Sequence, residues 1–336
     1  MKVLGLTTSY PRGPGDPAGR FVADGVAAAR GSGIEVEVVS PASFRHFGIA
    51  YGHGIVGNLK ARPWLVLLLP AFFWNFRCAA ARHEADLVHA HWLAAGAVAS
   101  TLRTPFVVQV WGTDVELARK APWLARLILR RARFGIGASR YLAERARALG
   151  AHEVRVVPSS VEIPEGVGDP DEPAHVLFVG RLSAEKGIEE FLAATEGLPR
   201  VIVGAGPIRV PESVGSVPPS EIGAYYERAA VVCVPSRREG YGMVAREAMA
   251  YGRPVVASEV GGLADAIEDE VTGFLVPPGD VVSLRAAVAR VRADAEISGS
   301  VGAAARERAM ELWSKGATTS ALVGLYEEAA PGTSWP

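Results

Sequence analysis

The stretch from Ser236 to Gly252 reads Ser-Arg-Arg-Glu-Gly-Tyr-Gly-Met-Val-Ala-Arg-Glu-Ala-Met-Ala-Tyr-Gly, and it constrains the fold more than any other part of the chain. An apolar run, Ala229 to Val234, precedes it and has the length and β-branched content of a buried strand. Pro235, Gly240 and Gly242 then mark a loop. Helix formers follow from Met243 through Ala250, with Gly252 and Pro254 as a C-terminal stop. A buried strand that runs through a glycine loop into a helix is the building unit of a parallel α/β sheet.

The loop of such a unit turns free backbone N–H groups and the positive end of a helix dipole outward, an arrangement suited to a phosphate or diphosphate. Two carboxylates bracket it: Glu239 in the loop, and Glu247 more than a turn inside the helix. Taken singly, each is a solvated charge beside a turn. Together they suit a nucleotide-sugar, whose hexose hydroxyls and ribose hydroxyls lie on opposite sides of a diphosphate.

At 336 residues, 49% hydrophobic and 21% charged, the chain has the composition of an ordinary globular protein and is long enough for two domains. Charge divides it: residues 1 to 165 hold 20 Lys and Arg against 12 Asp and Glu, whereas the remainder holds 15 against 24. A basic first half and an acidic second half suggest separate bodies with different partners, and nucleic acid is not among those expected. Cys78 and Cys233 are far apart and lack metal-ligand spacing, so they read as buried thiols of a reducing compartment. Met1 leads directly into a strand-like run, from which no secretory leader is expected.

In chain order, Lys2 to Thr8 reads as a strand, Ser9 to Gly19 as a loop with three prolines and three glycines, Phe21 to Arg30 as a helix and Ile34 to Ser40 as a strand. This opening predicts a doubly wound sheet whose ligand crevice lies at the strand C-termini, with the long first loop in that crevice. Phe44 to Lys60 reads as loop with one turn of helix at most. Trp64 to Phe76 is apolar but broken by Pro70 and Asn75, too short to span a bilayer, and reads as a core helix or an interfacial segment. Asp86 to His91 and Thr104 to Val110 are further strands. His89 and His91 share one strand face, and His91, nearer the C-terminal end, is the functional candidate. Leu124 to Arg133 sets Arg126, Arg130, Arg131 and Arg133 beside Trp123, Leu127, Ile128 and Leu129, which fits either a solvated packed helix or a membrane-surface helix.

Ile163 to Pro173, rich in proline, glycine and acids, reads as the interdomain linker; its Asp169-Pro-Asp171 is not taken as a metal site, because it lies between prolines in a tether. After it the opening recurs: strand Val176 to Val179, the loop from Gly180 and Arg181 to Lys186 and Gly187, then a helix from Ile188. Two cations in such a loop would converge on the same diphosphate as the Gly240 to Met243 amides. Gly204-Ala-Gly206 lacks a third glycine and does not support a dehydrogenase fingerprint.

Two phrases carry a specific likeness. Pro-Ser-x-x-Glu-Gly-x-Gly with Glu-x7-Glu ahead of Glu-Ala-Met-Ala-x-Gly-x-Pro-Val-Val-Ala, and Phe-Val-Gly-Arg-Leu-Ser-x-Glu-Lys-Gly, resemble the donor-site motifs of retaining GT-B glycosyltransferases of family four. The resemblance implies two Rossmann-like doubly wound domains with the active site in the cleft between them. It implies an acceptor domain over 1–165, a nucleotide-sugar domain over 174–311, and a helical segment 312–336 that crosses back to the first. It further implies that Arg181 and Lys186 grip the donor diphosphate, that Glu239 contacts hydroxyls of the transferred sugar, and that Glu247 holds the ribose. Gly240, Tyr241, Gly242 and Met243 would complete the donor site, His91 would lie near the anomeric centre, and Gly19 would approach donor and acceptor. The expected activity is metal-independent, retaining transfer of a hexose from a UDP- or GDP-sugar to a hydroxyl of a sugar, polyol or lipid-linked acceptor, with no cofactor beyond the co-substrate. The expected setting is the cytoplasm, with peripheral contact to an anionic membrane through residues 123–133 and 64–76. Trp111 stands before Gly112 where the family often has histidine, and Ser159-Ser160-Val-Glu162 replaces Asn-Gly-Val-Asp, so the acceptor stays open. A nucleotide-sugar epimerase on the same scaffold and a non-catalytic nucleotide or lipid-headgroup binding module are the alternative readings.

Overall fold

The structure, a computed structural model, describes residues 1–13, 16, 18–52, 54–118, 121–168 and 175–330. The chain divides into two compact units, the first formed by Met1–Ser160 together with the chain from Thr318, the second by Val161–Ala317.

The first unit runs β1 (Lys2–Leu6), α1 (Arg20–Gly31), β2 (Glu35–Val39), α2 (Gly54–Ala61), α3 (Leu69–Ala80), β3 (Leu87–His91), α4 (Trp92–Ala99), β4 (Phe106–Val110), α5 (Gly112–Ala118), α6 (Pro122–Arg131), β5 (Gly135–Gly137), α7 (Arg140–Ala148) and β6 (Val154–Val156). Its six strands are all parallel, in the order β2-β1-β3-β4-β5-β6. β3 and β4 are buried along their whole length, the pattern of strands covered by helices on both faces.

The second unit runs β7 (His175–Val179), α8 (Ile188–Ala194), β8 (Arg200–Val203), α9 (Ile222–Arg228), β9 (Ala229–Val234), α10 (Met243–Ala250), β10 (Val255–Ser258), α11 (Gly261–Ala266), β11 (Phe274–Val276), α12 (Val281–Ala293) and α13 (Ala295–Trp313). Its five parallel strands are ordered β11-β10-β9-β7-β8. Alternation along β9 shows the double covering: Val232 and Val234 join one core cluster with Ala245, Met249 and Trp313, while Val231 and Cys233 join the other with Phe178, Phe191 and Val256. Burial raises the Cys233 thiol far above its ordinary range and leaves it inert.

The last helix, α14 (Lys315–Ala329), does not continue α13: Ser314 takes an extended conformation between them, so the helix expected from Leu312 is two. Within the first unit, Leu322, Leu325, Tyr326 and Ala329 of α14 share a cluster with Val26, Ala29, Val36, Leu87 and Phe134. Their i, i+3, i+4, i+7 spacing is one helix face.

Two further sequence expectations change. Phe44 to Lys60 carries a two-turn helix, α2, and the loop before it is tied down by Asn58, whose Nδ2 donates to the carbonyls of Ile49 and Tyr51 at 3.0 and 2.7 Å. Residues 163–168, expected as a tether, are held by the second unit. Arg306 donates to the Pro164 carbonyl, Arg253 to the Gly168 carbonyl, and the Val161 N–H to Trp313 at 2.9 Å. Asp169-Pro-Asp171 lies outside the described residues.

Candidate functional site

In the second unit the chain leaves β7 for β8 on one side and returns to place β9 on the other, so the loops after β7 and β9 emerge side by side at the strand C-termini. This is a topological switch point, where open parallel sheets bind ligands. Gly187 lets the two loops touch. It has a left-handed φ of 72°, and a Cβ there would clash with the Pro235 carbonyl at the end of β9. Arg237 adds two more ties, its N–H to the Glu185 carbonyl at 2.9 Å and its Nε to the buried Glu190 at 2.7 Å.

The contact brings two sequence-read residues into a direct ion pair. Lys186 Nζ donates to Glu239 Oε2 at 2.6 Å, with the carboxylate side chain only 16% exposed and the lysine 32%. Phe178, Gly180, Val234, Ser236 and Val244 line a small hollow with them. Arg181, one residue beyond Gly180, is exposed and makes no ion pair or hydrogen bond among the described residues. Glu247 lies further along α10, partly exposed, and its Oε2 accepts a 2.7 Å hydrogen bond from Tyr226 of α9. Burial, reinforced by that carboxylate, holds the Tyr226 hydroxyl protonated.

The glycine loop is braced from behind. Gly242, with φ 81°, caps α10, and the Gly262 N–H donates to the Glu239 carbonyl at 2.9 Å. Arg246, 2% exposed, donates to the carbonyls of Tyr241 and Gly262. Its guanidinium lies 3.9 Å from the Tyr241 ring centre and 4.6 Å from that of Trp313. Burial lowers its pKa to about 10, so it remains charged at neutral pH. Tyr241 is thus turned inward, while Gly240 and Met243 are partly exposed. Arg246, Tyr226 and Trp313 escaped the reading of the sequence. One signal was available: Arg246 falls among Ala245, Ala248 and Met249 on the apolar face of α10, where an arginine needs buried partners.

In the first unit the switch point lies between β1 and β3. Gly19, φ 64°, caps α1, and a Cβ there would clash with the Ser9 carbonyl, so only glycine lets the start of α1 pass this close to Ser9. Asp16 accepts from Arg12 Nε at 2.9 Å and from the Ala18 N–H at 3.0 Å, and these bonds pull its pKa to about 2. His91 ends β3, buried, its ring stacked 4.0 Å from that of His89. His89 Nδ1 lies 2.7 Å from the Tyr326 hydroxyl. His91 Nδ1 and His89 Nε2 have no hydrogen-bond partner among the described residues. Burial pushes both rings down, His89 to about 4 and His91 well below 6.5, so both are neutral at pH 7. Trp92 follows with φ 71°, a strained conformation for a bulky side chain, and packs with Phe21 and Trp111. The structure therefore gathers Lys186, Glu239, Glu247 and the 240–243 loop in one unit, and Gly19 and His91 at the switch point of the other.

Two all-parallel units in one chain are the architecture shared with GT-B glycosyltransferases, as similarity to known proteins bears out. The model of Glycosyltransferase Family 4 matches residues 18–163, and that of glycosyl transferases group 1 matches residues 173–294. A D-inositol 3-phosphate glycosyltransferase of Saccharomonospora viridis is 35% identical over 194 residues, 48% of this chain and 44% of that relative. The chain thus spans under half the length of that relative. A glycogen synthase of Mycobacterium tuberculosis is 30% identical over 283 residues, 71% of this chain and 68% of the relative. Two solved structures share the fold. They are a sucrose-phosphate synthase of Thermosynechococcus elongatus (TM-score 0.80, 23% identity, 97% of this chain and 98% of that one) and Anabaena HepE in complex with UDP-glucose (0.72, 19%, 98% and 100%). The chain belongs to this group 1, family 4 lineage and is a glycosyltransferase.

Proposed function

We propose that this glycosyltransferase moves a hexose from a UDP- or GDP-sugar to a hydroxyl of a sugar, polyol or lipid-linked acceptor, with retention of anomeric configuration and without a bound metal ion. The observation that carries the reading is the Lys186–Glu239 pair at the second unit's switch point. An arriving diphosphate competes for the Lys186 ammonium, and the Glu239 carboxylate so released accepts from the hexose hydroxyls. Arg181, exposed and uncommitted among the described residues, adds a second cation to the phosphates. Glu247, oriented by Tyr226, accepts from the ribose.

In the transfer the bond from the anomeric carbon to phosphate oxygen breaks, a bond to the acceptor oxygen forms on the same face, and the acceptor proton passes to the departing phosphate. Lys186 and Arg181 stabilise the charge that grows on that phosphate, an effect of about 3 to 4 kcal/mol for one preorganised donor. His91 and Gly19, on the first unit, keep the roles near the anomeric carbon and acceptor that the family resemblance implies. A uridine donor is favoured by HepE, whose structure holds UDP-glucose. A polyol or glucan acceptor is favoured by the relatives named for inositol phosphate and glycogen. The two free cysteines fit a cytoplasmic setting, and the acceptor would be met at the inner face of a membrane.

The test is a melting-temperature panel with UDP-, GDP-, ADP- and dTDP-sugars, followed by NMR of the glycoside formed from the donor that binds. One UDP- or GDP-sugar should raise the melting temperature, and the product should keep the donor's anomeric configuration in the presence of EDTA. No shift with any donor, an inverted product, EDTA inactivation reversed by a divalent ion, or an altered hexose from donor alone would each count against a specific part of the proposal.

A further inference from the structure

Two apolar surfaces of the first unit face solvent. On the segment that runs through the 3-10 turn Pro63–Leu68 into α3, Leu67 is 81% exposed, Trp74 62% and Trp64 58%, while Leu65, Phe72 and Phe76 are buried on the opposite side. Trp64 and Leu67 are three apart in the 3-10 turn, and in α3 the exposed Trp74 lies at helical spacing between the partly exposed Ala71 and Cys78. On α6, Trp123 is 70% exposed and Leu127 lies one turn on, while Ala125, Ile128 and Leu129 are buried. Large aromatic and aliphatic side chains placed outward on two segments that flank α4 exceed the scattered exposure of an ordinary surface.

The two segments lie in one layer. α4 packs against both α3 and α6, and its Gly96 is seated so close to Ile128 of α6 that a Cβ there would crowd it. Beyond Trp92, the partly exposed residues of α4 itself are Ala94 and Ala97, too small to interrupt the layer.

Charge selects the occupant. From Val38 to His83 the sequence has no acidic residue and five cations; from Leu117 to Ala143 it has none and seven. Of these, Lys60, Arg62, Arg82, Arg126, Arg130 and Arg131 are exposed, and the Arg77 guanidinium lies 5.9 Å from the Trp74 ring centre. A protein partner would need a matching acidic rim around an apolar centre. An anionic lipid surface offers both over any area: phosphates for the arginines, and an acyl boundary for tryptophan and leucine at headgroup depth.

We infer that the outer side of α3 and α6, with the 63–68 turn, is a face on which this protein docks peripherally to an anionic membrane. This specifies where the membrane contact of the proposed function would lie. Vesicle binding and donor binding are separate measurements, so either can fail without the other. The segment Pro63–Ala80 is also long and apolar enough to cross a bilayer by length and composition, but Leu65, Phe72, Phe76, Ala79 and Ala80 pack inside the unit, and docking leaves that packing intact.

The experiment is flotation of the full chain with vesicles of phosphatidylcholine containing 30% phosphatidylglycerol, against phosphatidylcholine alone, at low and high salt. Three variants are compared: Trp64→Ser with Leu67→Ser, Trp123→Ser with Leu127→Ser, and Arg126→Gln with Arg130→Gln. Binding should require the anionic lipid and weaken with salt. Each apolar pair should cost tenfold or more, and the arginine pair roughly tenfold or more at low salt. All six positions are exposed, so circular dichroism and the donor-induced melting shift should match the parent. No flotation at low salt, or flotation indifferent to all three variants, would overturn the inference. So would resistance to alkaline carbonate, which marks a spanning segment, or a concentration-dependent dimer that the apolar variants abolish without any vesicle binding.

Discussion

The two units share one architecture and treat their switch points in opposite ways. In the second, the strand ends carry formal charge, with Lys186 against Glu239 and Glu247 against Tyr226, partly open to solvent. In the first, the strand end carries two buried neutral histidines stacked on each other, a strained tryptophan and two further aromatic rings. A charged end suits a diphosphate, which brings charge of its own and repays the desolvation of its partners. A neutral, aromatic end suits the apolar faces and hydroxyls of a sugar, where a formal charge would be costly to bury. The same fold therefore presents two different environments at equivalent positions on its two sheets.

Lys186→Ala gives the largest expected effect. If the charged switch point stabilises the leaving diphosphate, turnover should fall by about 10²- to 10³-fold, read as kcat on the donor found by the melting panel. Near-normal kcat would erase the distinction between the units.

Acid should separate the units next. The folded pKa of His89 is lowered, so the unfolded chain binds a proton that the native state refuses, and the stabilisation present at pH 7 is lost as pH falls from about 6.5 toward 4. With His89 titrating near 4, the loss approaches about 3 kcal/mol at the lower end, and His91 adds to it. Denaturant unfolding at pH 7, 5.5 and 4.5, followed by hydrogen exchange of β3 and β9, should show the first unit weakening first. His89→Gln should flatten the difference, and equal weakening of both units would break it.

Arg246→Met comes third. It removes a buried cation bonded to two loop carbonyls and should cost about 2 to 3 kcal/mol in urea unfolding. Donor affinity should fall with it, because the 240–243 loop loses its brace. Unchanged donor affinity in a destabilised protein would confine Arg246 to the core. The smallest effect belongs to Tyr226→Phe. Glu247 would lose a donor, and calorimetry should show donor binding weakened by roughly 5- to 15-fold, about one hydrogen bond's worth, with kcat little changed. A fall in kcat at constant affinity would move Glu247 from the ribose to the reaction itself.

Much of this was legible in the chain alone. The strand, glycine loop and helix around Gly240 and Gly242 follow from local conformational preference, because glycine tolerates the left-handed φ of a tight cap and the flanking runs have strand and helix periods. The pairing of His89 and His91 on one strand face follows from period-two alternation, and the rings do stack. The helix α2 was hidden, because a glycine-rich segment has weak local preference and gains its order from Asn58 bonding two loop carbonyls. The break at Ser314 carried a local signal that went unused: its Oγ accepts from the Ala317 N–H at 3.4 Å at the start of α14, and Gly316, Thr318, Thr319 and Ser320 are weak helix formers.

What the sequence determined by itself is what lies within a few residues along the chain: the strand-loop-helix units, the glycines that cap them, and the carboxylates and cations of the two donor motifs. Only the tertiary structure decided which of these meet. Lys186 and Glu239 are 53 positions apart, and Tyr226 and Glu247 are 21 apart. Their contact depends on strand order, since placing β9 beside β7 lays one loop on the other. Side-chain burial, which turned Arg246 into a brace and left His91 neutral, depends on the packing of helices distant in sequence, which no local pattern encodes.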